Sequence, residues 1–274
     1  MAIDLHGKNI VITGGGTGIG AATAIAAAEA GMSVCIAGRR QAELDQVTKT
    51  INESGGRAIS IPCDVTESGS ESRLLDQAES QFGPAWAVFA NAGRGLDRTV
   101  HETSREEMLD IFEVNFFATH LLMSEAARRM MAGSREGHLL ACASCLSRFG
   151  IPHHAAYAAT KASQDILCQA MRHELKHHGI HVSSVHPITT RTEFFEKSAE
   201  HSGNAEHRVL EETPAMFVQT SERVADAIIR CLRRPRPEVW TSQIVRMTSV
   251  VRNLFPRILD RRLRAMVKHG PKAD

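Results

Sequence analysis

Tyr157 is the only tyrosine among 274 residues, and Lys161 follows it by four positions. On a helix that spacing puts both side chains on one face, about 6 Å apart along the axis, so they can address one ligand together. A phenol ordinarily keeps its proton up to a pH of about 10, and a neighbouring ammonium favours the phenolate. The pair is therefore suited to giving a proton to a carbonyl oxygen, or to taking one from an alcohol. The alternative is a half-buried ring with a satisfied hydroxyl.

Other reactive residues read differently. Cys142 and Cys145 have CxxC spacing, but they end an apolar run instead of opening a helix, so packing is expected and not thiol exchange. His153 and His154 are expected at a substrate entrance, and His177, His178 and His181 at a helix end or on the surface. With no carboxylate or cysteine at ligand spacing beside them, no metal is expected.

The elements that must position Tyr157 and Lys161 can be read from the hydropathy pattern. Short apolar runs at 8–13, 33–38, 58–64, 85–91, 138–144, 181–187 and 238–243 alternate with helical patterns at 19–30, 42–53, 72–82, 105–131, 155–177 and 221–232. This alternation predicts βαβ units: an α/β, doubly wound parallel sheet of about seven strands with helices on both faces. No internal repeat or linker interrupts it, and ligands should gather at the carboxyl ends of the strands. Lys and Arg number 32 against 31 Asp and Glu, a balance that gives no reason to expect a nucleic-acid partner. Six dispersed cysteines in apolar segments, and an N-terminus without the signal-peptide pattern, lead to the expectation of a cytoplasmic protein.

The first strand runs into TGGGTGIG at 13–20, where Gly14, Gly18 and Gly20 permit a tight turn and close approach of backbone to a phosphate at a helix N-terminus. The second ends in Gly38-Arg39-Arg40. A carboxylate there would suit the ribose hydroxyls of NAD; an arginine can pair with a 2′-phosphate, which favours NADP. Two arginines could also simply open the next helix as solvated charges.

These residues, with Asp64-Val65, Asn91-Ala92-Gly93, Asn115, Ser144 and Tyr157-x-x-x-Lys161, resemble in order and spacing the short-chain dehydrogenase/reductase family in its single-domain form, over about residues 5–242. The resemblance implies a Rossmann fold and an oxidoreductase that moves hydride between NADP(H), preferred over NAD(H), and a small-molecule carbonyl or secondary alcohol. It implies a catalytic set of Asn115, Ser144, Tyr157 and Lys161, with Ser144 and not Ser147 holding the substrate oxygen. In the family the lysine also binds the nicotinamide ribose and passes protons on through a water held by the matching asparagine. Gly14, Gly16, Thr17, Gly18, Ile19 and Gly20 would surround the pyrophosphate and adenosine ribose, and Arg39 and Arg40 the 2′-phosphate. Asp64 would take the adenine amino group, with Val65 beside it; Asn91, Ala92 and Gly93 would border the cofactor. Pro187, Thr190 and Thr192 match the segment after strand six. Two departures stand out: Ala90 for a common asparagine, and Ile188 where the family has glycine, so the backbone there is expected to differ.

The resemblance also implies a homo-oligomer, dimer or tetramer. A non-catalytic NADP(H)-binding regulator or scaffold, and an epimerase or dehydratase of the same family, stay open as alternatives. Residues 193–219 are expected to close over the substrate as a partly apolar lid. Residues 1–243 are read as the Rossmann-fold domain and 244–274 as a basic amphipathic extension, where Ile244, Met247, Val251, Leu254, Ile258, Leu259, Leu263, Met266 and Val267 recur near helical spacing with Pro256 interrupting. That extension could dock on its own domain, join an oligomer contact, or anchor peripherally on a membrane.

Overall fold

The computed structural model describes residues 2–202, 209–255 and 257. In chain order the strands are β1 (Asn9–Thr13), β2 (Ser33–Gly38), β3 (Arg57–Pro62), β4 (Ala87–Ala90), β5 (Gly137–Cys142), β6 (Ile180–His186), the two-residue β7 (Thr189–Thr190) and β8 (Val218–Gln219), and β9 (Glu238–Trp240). The helices are α1 (Gly18–Glu29), α2 (Gln41–Glu53), α3 (Ser70–Phe82), α4 (Arg105–Phe112), α5 (Ala118–Ala132), α6 (Ala155–Leu175), α7 (Phe194–Ser202), α8 (Val209–Glu212), α9 (Ser221–Arg233) and α10 (Gln243–Leu254).

Seven strands form one parallel sheet in the order β3-β2-β1-β4-β5-β6-β9. Alternate residues of each strand serve opposite faces. Ile10, Ile12, Val34, Ile36, Phe89 and Leu140 pack toward α1, α2 and α9. Val11, Cys35, Val88, Leu139 and Ala141 pack toward α3, α5 and α6. Both faces are covered, which is why the central strands read as unbroken apolar runs. Strand order reverses between β1 and β4, so a crevice opens beyond their carboxyl ends. All six cysteines are free thiols, four of them buried.

The helical pattern over 105–131 is not one helix. A π turn (Glu113–Phe117) separates α4 from α5 and shifts the register around Asn115. Ser104 starts α4 with a reciprocal capping box to Glu107.

After β6 the backbone at Ile188 stays out of the left-handed region: among described non-glycine residues only Ser134 and His153 have positive φ. Ile188 instead buries its side chain against Trp240 and Val245. Ile244, Met247, Val251 and Leu254 of α10 face outward. The helix docks by its other edge, through Val245 and through Arg252, which donates to the Arg148 carbonyl at 3.3 Å. Pro256, Ile258, Leu259, Leu263, Met266 and Val267 lie outside the described residues. Among the described residues no helix is long and apolar enough to cross a membrane.

Candidate active site

A cavity of about 750 Å³ opens where the strand order reverses. Its floor is the turn between β1 and α1, contributed by Gly14, Gly16, Thr17, Gly18 and Ile19. No side chain caps the N-terminus of α1 and no acid sits in its first turn, so its field is offered to the cavity. Gly20 does not line the cavity but makes the turn feasible. A Cβ there would stand 2.1 Å from the Gly14 carbonyl oxygen, so only glycine lets helix and turn lie so close. Asn91 secures the same turn from β4, donating to the carbonyls of Thr13 at 3.1 Å and Gly14 at 3.2 Å.

The distal wall holds Arg39, Arg40, Asp64 and Val65. Arg40 is engaged with Glu43 at 2.6 Å and with Glu193 at 3.1 Å. Arg39 is exposed, and its charge reaches Asp64. Asp64 accepts from the Thr66 amide at 3.0 Å and hydroxyl at 2.7 Å. The amide bond chiefly, then the hydroxyl and Arg39, hold its carboxyl below the usual range although burial opposes them.

At the other end Ser144, Tyr157 and Lys161 line the cavity together. Ser144 follows β5 and is steadied by the Leu146 amide, which donates to its Oγ at 3.1 Å. Tyr157 lies in the first turn of α6, its ring 5.7 Å from that of Phe194 on α7. Loss of water around its hydroxyl pushes the phenol well above its ordinary value, with Cys142 adding to the rise and a hydrogen bond from Ser144 opposing it. Lys161 is buried, with Nζ donating to the Cys142 carbonyl at 2.6 Å and to Gln164 Oε1 at 3.0 Å. Burial lowers its pKa. The ammonium lies 5.6 Å from the centre of the Tyr157 ring.

Asn115 stands behind this group, fully buried in the π turn. Its side chain clamps the chain after β4: Oδ1 accepts from the Arg94 amide at 2.8 Å, and Nδ2 donates to the Arg94 carbonyl and to Thr160 Oγ1, both at 3.0 Å. Gly93 is pressed between these parts, where a Cβ would stand 3.0 Å from Asn115 Oδ1 and 3.5 Å from Lys161 Nζ. The Asn115 main-chain carbonyl accepts from the Gln164 amide.

The remaining expected residues fall as follows. Ala92, Gly93, Pro187, Thr190 and Thr192 line the cavity. His154 also lines it, but His153 does not and faces Asp97 at 4.0 Å. Ser147 is turned away, donating to the Ser144 carbonyl at 2.7 Å. Phe194 and Phe195 of the lid line the cavity, and Ser202 of α7 ties it down by accepting from the Asp97 amide at 2.9 Å. Met216 is exposed, and Phe217 packs near Ile188 and Trp240.

Sequence reasoning missed two neighbours of this site. One is Gln164; as a polar residue three positions after Lys161, on the same helix face, it could have been found from spacing. The other is the buried cluster behind Ser144. Asp165, His186 and Glu238 hold potential ligand atoms within 4.8 Å of one another, but the Arg148 guanidinium occupies the space, 2.9 Å from Asp165 and also on Glu238. His186 stacks on Trp240 at 4.4 Å and its Nδ1 lies 3.0 Å from the Ser144 carbonyl.

The fold, the glycine turn and the cavity agree with what the chain resembles among known proteins. The profile of the short chain dehydrogenase family matches residues 8–203. The chain is a short-chain dehydrogenase/reductase. It therefore belongs to an oxidoreductase family that uses nicotinamide nucleotides on small molecules and often forms oligomers. It is 28% identical over 267 residues to a ketoacyl reductase, HetN, of a Nostoc species, covering 94% of this chain and 88% of that one. A solved short-chain dehydrogenase/reductase from Mycobacterium marinum is 31% identical, with a TM-score of 0.77, covering 86% of this chain and 94% of that one. Another from Burkholderia phymatum, solved with NAD, shares the fold with a TM-score of 0.82 at 22% identity, covering 94% and 96%.

Proposed function

We propose that this short-chain dehydrogenase/reductase moves hydride between NADP(H) and a carbonyl or secondary alcohol, with Tyr157 as the acid and base. The observation that carries the reading is that Ser144, Tyr157 and Lys161 line one cavity together, with the glycine turn as its floor. The residues fit a dinucleotide. Gly14, Gly16, Thr17, Gly18 and the α1 N-terminus suit the pyrophosphate, while Arg39 and Arg40 suit the 2′-phosphate and Asp64 with Val65 the adenine end. Lys161 suits the nicotinamide ribose, and Thr192 the carboxamide. When bound, the nicotinamide supplies or accepts the hydride.

The chain's own residues handle the oxygen. Ser144 and Tyr157 hold the substrate oxygen between their hydroxyls, and Tyr157 delivers its proton to that oxygen as the carbon is reduced. The protonated phenol is the form that reduction needs, and the phenolate the form that oxidation needs. Leu146, Ile151, Phe194 and Phe195 supply apolar walls, so the substrate is a ketone or alcohol with an apolar body. The name of the Nostoc relative, a ketoacyl reductase, supports the carbonyl assignment. NADPH oxidation against a panel of ketones, aldehydes and quinones tests the reading. Turnover of apolar ketones is expected, and a chain that fails to bind NADPH would overturn it.

A further inference from the structure

Four buried groups around Lys161 form a closed arrangement in which Gln164 is the common member. Its Oε1 accepts from the Lys161 ammonium at 3.0 Å, and its Nε2 donates both to the Asn115 carbonyl and to Thr119 Oγ1, the latter at 2.8 Å. Thr119 Oγ1 donates in turn to the Asn115 carbonyl at 2.8 Å. Gln164 and Asn115 are wholly buried, and Lys161 and Thr119 are 3% exposed. The Asn115 side chain is spent on Arg94 and Thr160 and does not reach Lys161. Among the described residues only the Gln164 amide joins the ammonium to the π turn.

We infer that Gln164 is a positioning residue for the reaction, its amide holding the Lys161 ammonium on one side and the Asn115 main-chain carbonyl on the other, so that the charge is fixed beside Tyr157. The inference rests on the reading of Tyr157 as acid and base. An ammonium has three donors, and two of them are met by fixed acceptors: the Cys142 carbonyl and Gln164 Oε1. Removing an acceptor from a buried charge disfavours the charged form. The π turn matters because it presents the Asn115 carbonyl where two side-chain donors, Gln164 Nε2 and Thr119 Oγ1, reach it, giving the glutamine a fixed anchor. A glutamine alone on α6 would be free to rotate. Cys142 and Cys145 also act on Tyr157, and burial raises both thiols, Cys145 to about 11; His154 lines the same cavity.

Because Tyr157 is the only tyrosine, its ionisation can be read directly from the tyrosinate ultraviolet band after rapid pH jumps, without turnover. The titration is run on the full chain, alone and with saturating NADP+, for wild type, Gln164→Met, Lys161→Met and the double variant. With NADP+ bound, whose positive charge favours the phenolate and brings it back toward the range in which Lys161 is charged, Gln164→Met should raise the Tyr157 midpoint by about 0.5 to 1 pH unit, Lys161→Met by more, and the double variant by no more than Lys161→Met alone. That non-additivity is the signature of a residue acting through Lys161, which a merely structural role would not produce. An unchanged midpoint in a folded Gln164→Met chain, or full additivity, would overturn the inference. If Gln164→Met does not fold, Gln164→Asn, too short to span both partners, should give the same shift. A wild-type midpoint that NADP+ does not lower would sink the proposed function, whereas a midpoint that NADP+ lowers equally in wild type and Gln164→Met would overturn the inference about Gln164 alone.

Discussion

Arg40 at the end of β2 and Glu193 at the start of the lid are ion-paired across the cavity mouth, Nη2 to Oε2 at 3.1 Å. The pair ties the segment expected to receive the 2′-phosphate to the segment expected to close over substrate. Glu193 also holds Lys197, and the Lys197 hydrogen bond chiefly, with Arg40 adding to it, keeps its carboxyl below the usual range.

A 2′-phosphate reaching Arg40 must compete with that carboxylate. Glu193→Gln should therefore tighten NADPH binding while leaving NADH unchanged. Both partners are more than 40% exposed, so the gain is small, about two- to fivefold, and should vanish at high salt. Fluorescence titration of both nucleotides at two ionic strengths measures it. A gain for NADH as well would mean the lid, and not the phosphate, is what Glu193 controls.

Arg39 lacks the two carboxylate ion pairs of Arg40 among the described residues, so under the proposed function it should carry the larger share of an NADP(H) preference. A charge-assisted contact to phosphate is worth about 1.5 to 3 kcal/mol, so Arg39→Ala should weaken NADPH by roughly ten- to a hundredfold and NADH barely. Equal losses for both nucleotides in the same titrations would make Arg39 a structural residue.

How these two arginines differ could not be read from the sequence. Arg39 and Arg40 are adjacent, and the partner that separates them lies 153 positions away. The glycine turn and the Tyr157–Lys161 pair were legible because their chemistry depends on local spacing. The seven strands were legible because a sheet covered on both faces demands continuous apolar runs. The π turn was hidden, since the pattern over 105–131 is that of an unbroken helix and one residue of register shift leaves the apolar period nearly intact. The α10 stripe was seen but its direction was not: periodicity identifies an apolar face, and only Val245 against Ile188 and Trp240 shows which edge docks.

The cluster behind Ser144 sets a stability prediction. The Asp165 carboxyl is held below the usual range: burial opposes this, but bonds and charge from His186, then Ser184 and Arg148, outweigh it. A depressed carboxyl contributes stability that is present above its unfolded value of about 4 and lost as pH falls through the folded value. Arg148→Met removes a cation from a nearly buried carboxylate and should cost about 2 kcal/mol or more, judged by urea unfolding at neutral pH. The difference from wild type should shrink below pH 4 as Asp165 takes up its proton. A cost that is the same at pH 3 and pH 7 would mean that Arg148 matters for packing alone.

The central claim is that Tyr157 carries the proton, and the most direct measurement compares NADPH oxidation by Tyr157→Phe and wild type on a ketone that wild type reduces. Deleting only the hydroxyl should lower kcat by about 10² to 10⁴ while NADPH affinity stays within about twofold of wild type. A Tyr157→Phe enzyme that reduces the ketone at close to the wild-type rate would contradict the account.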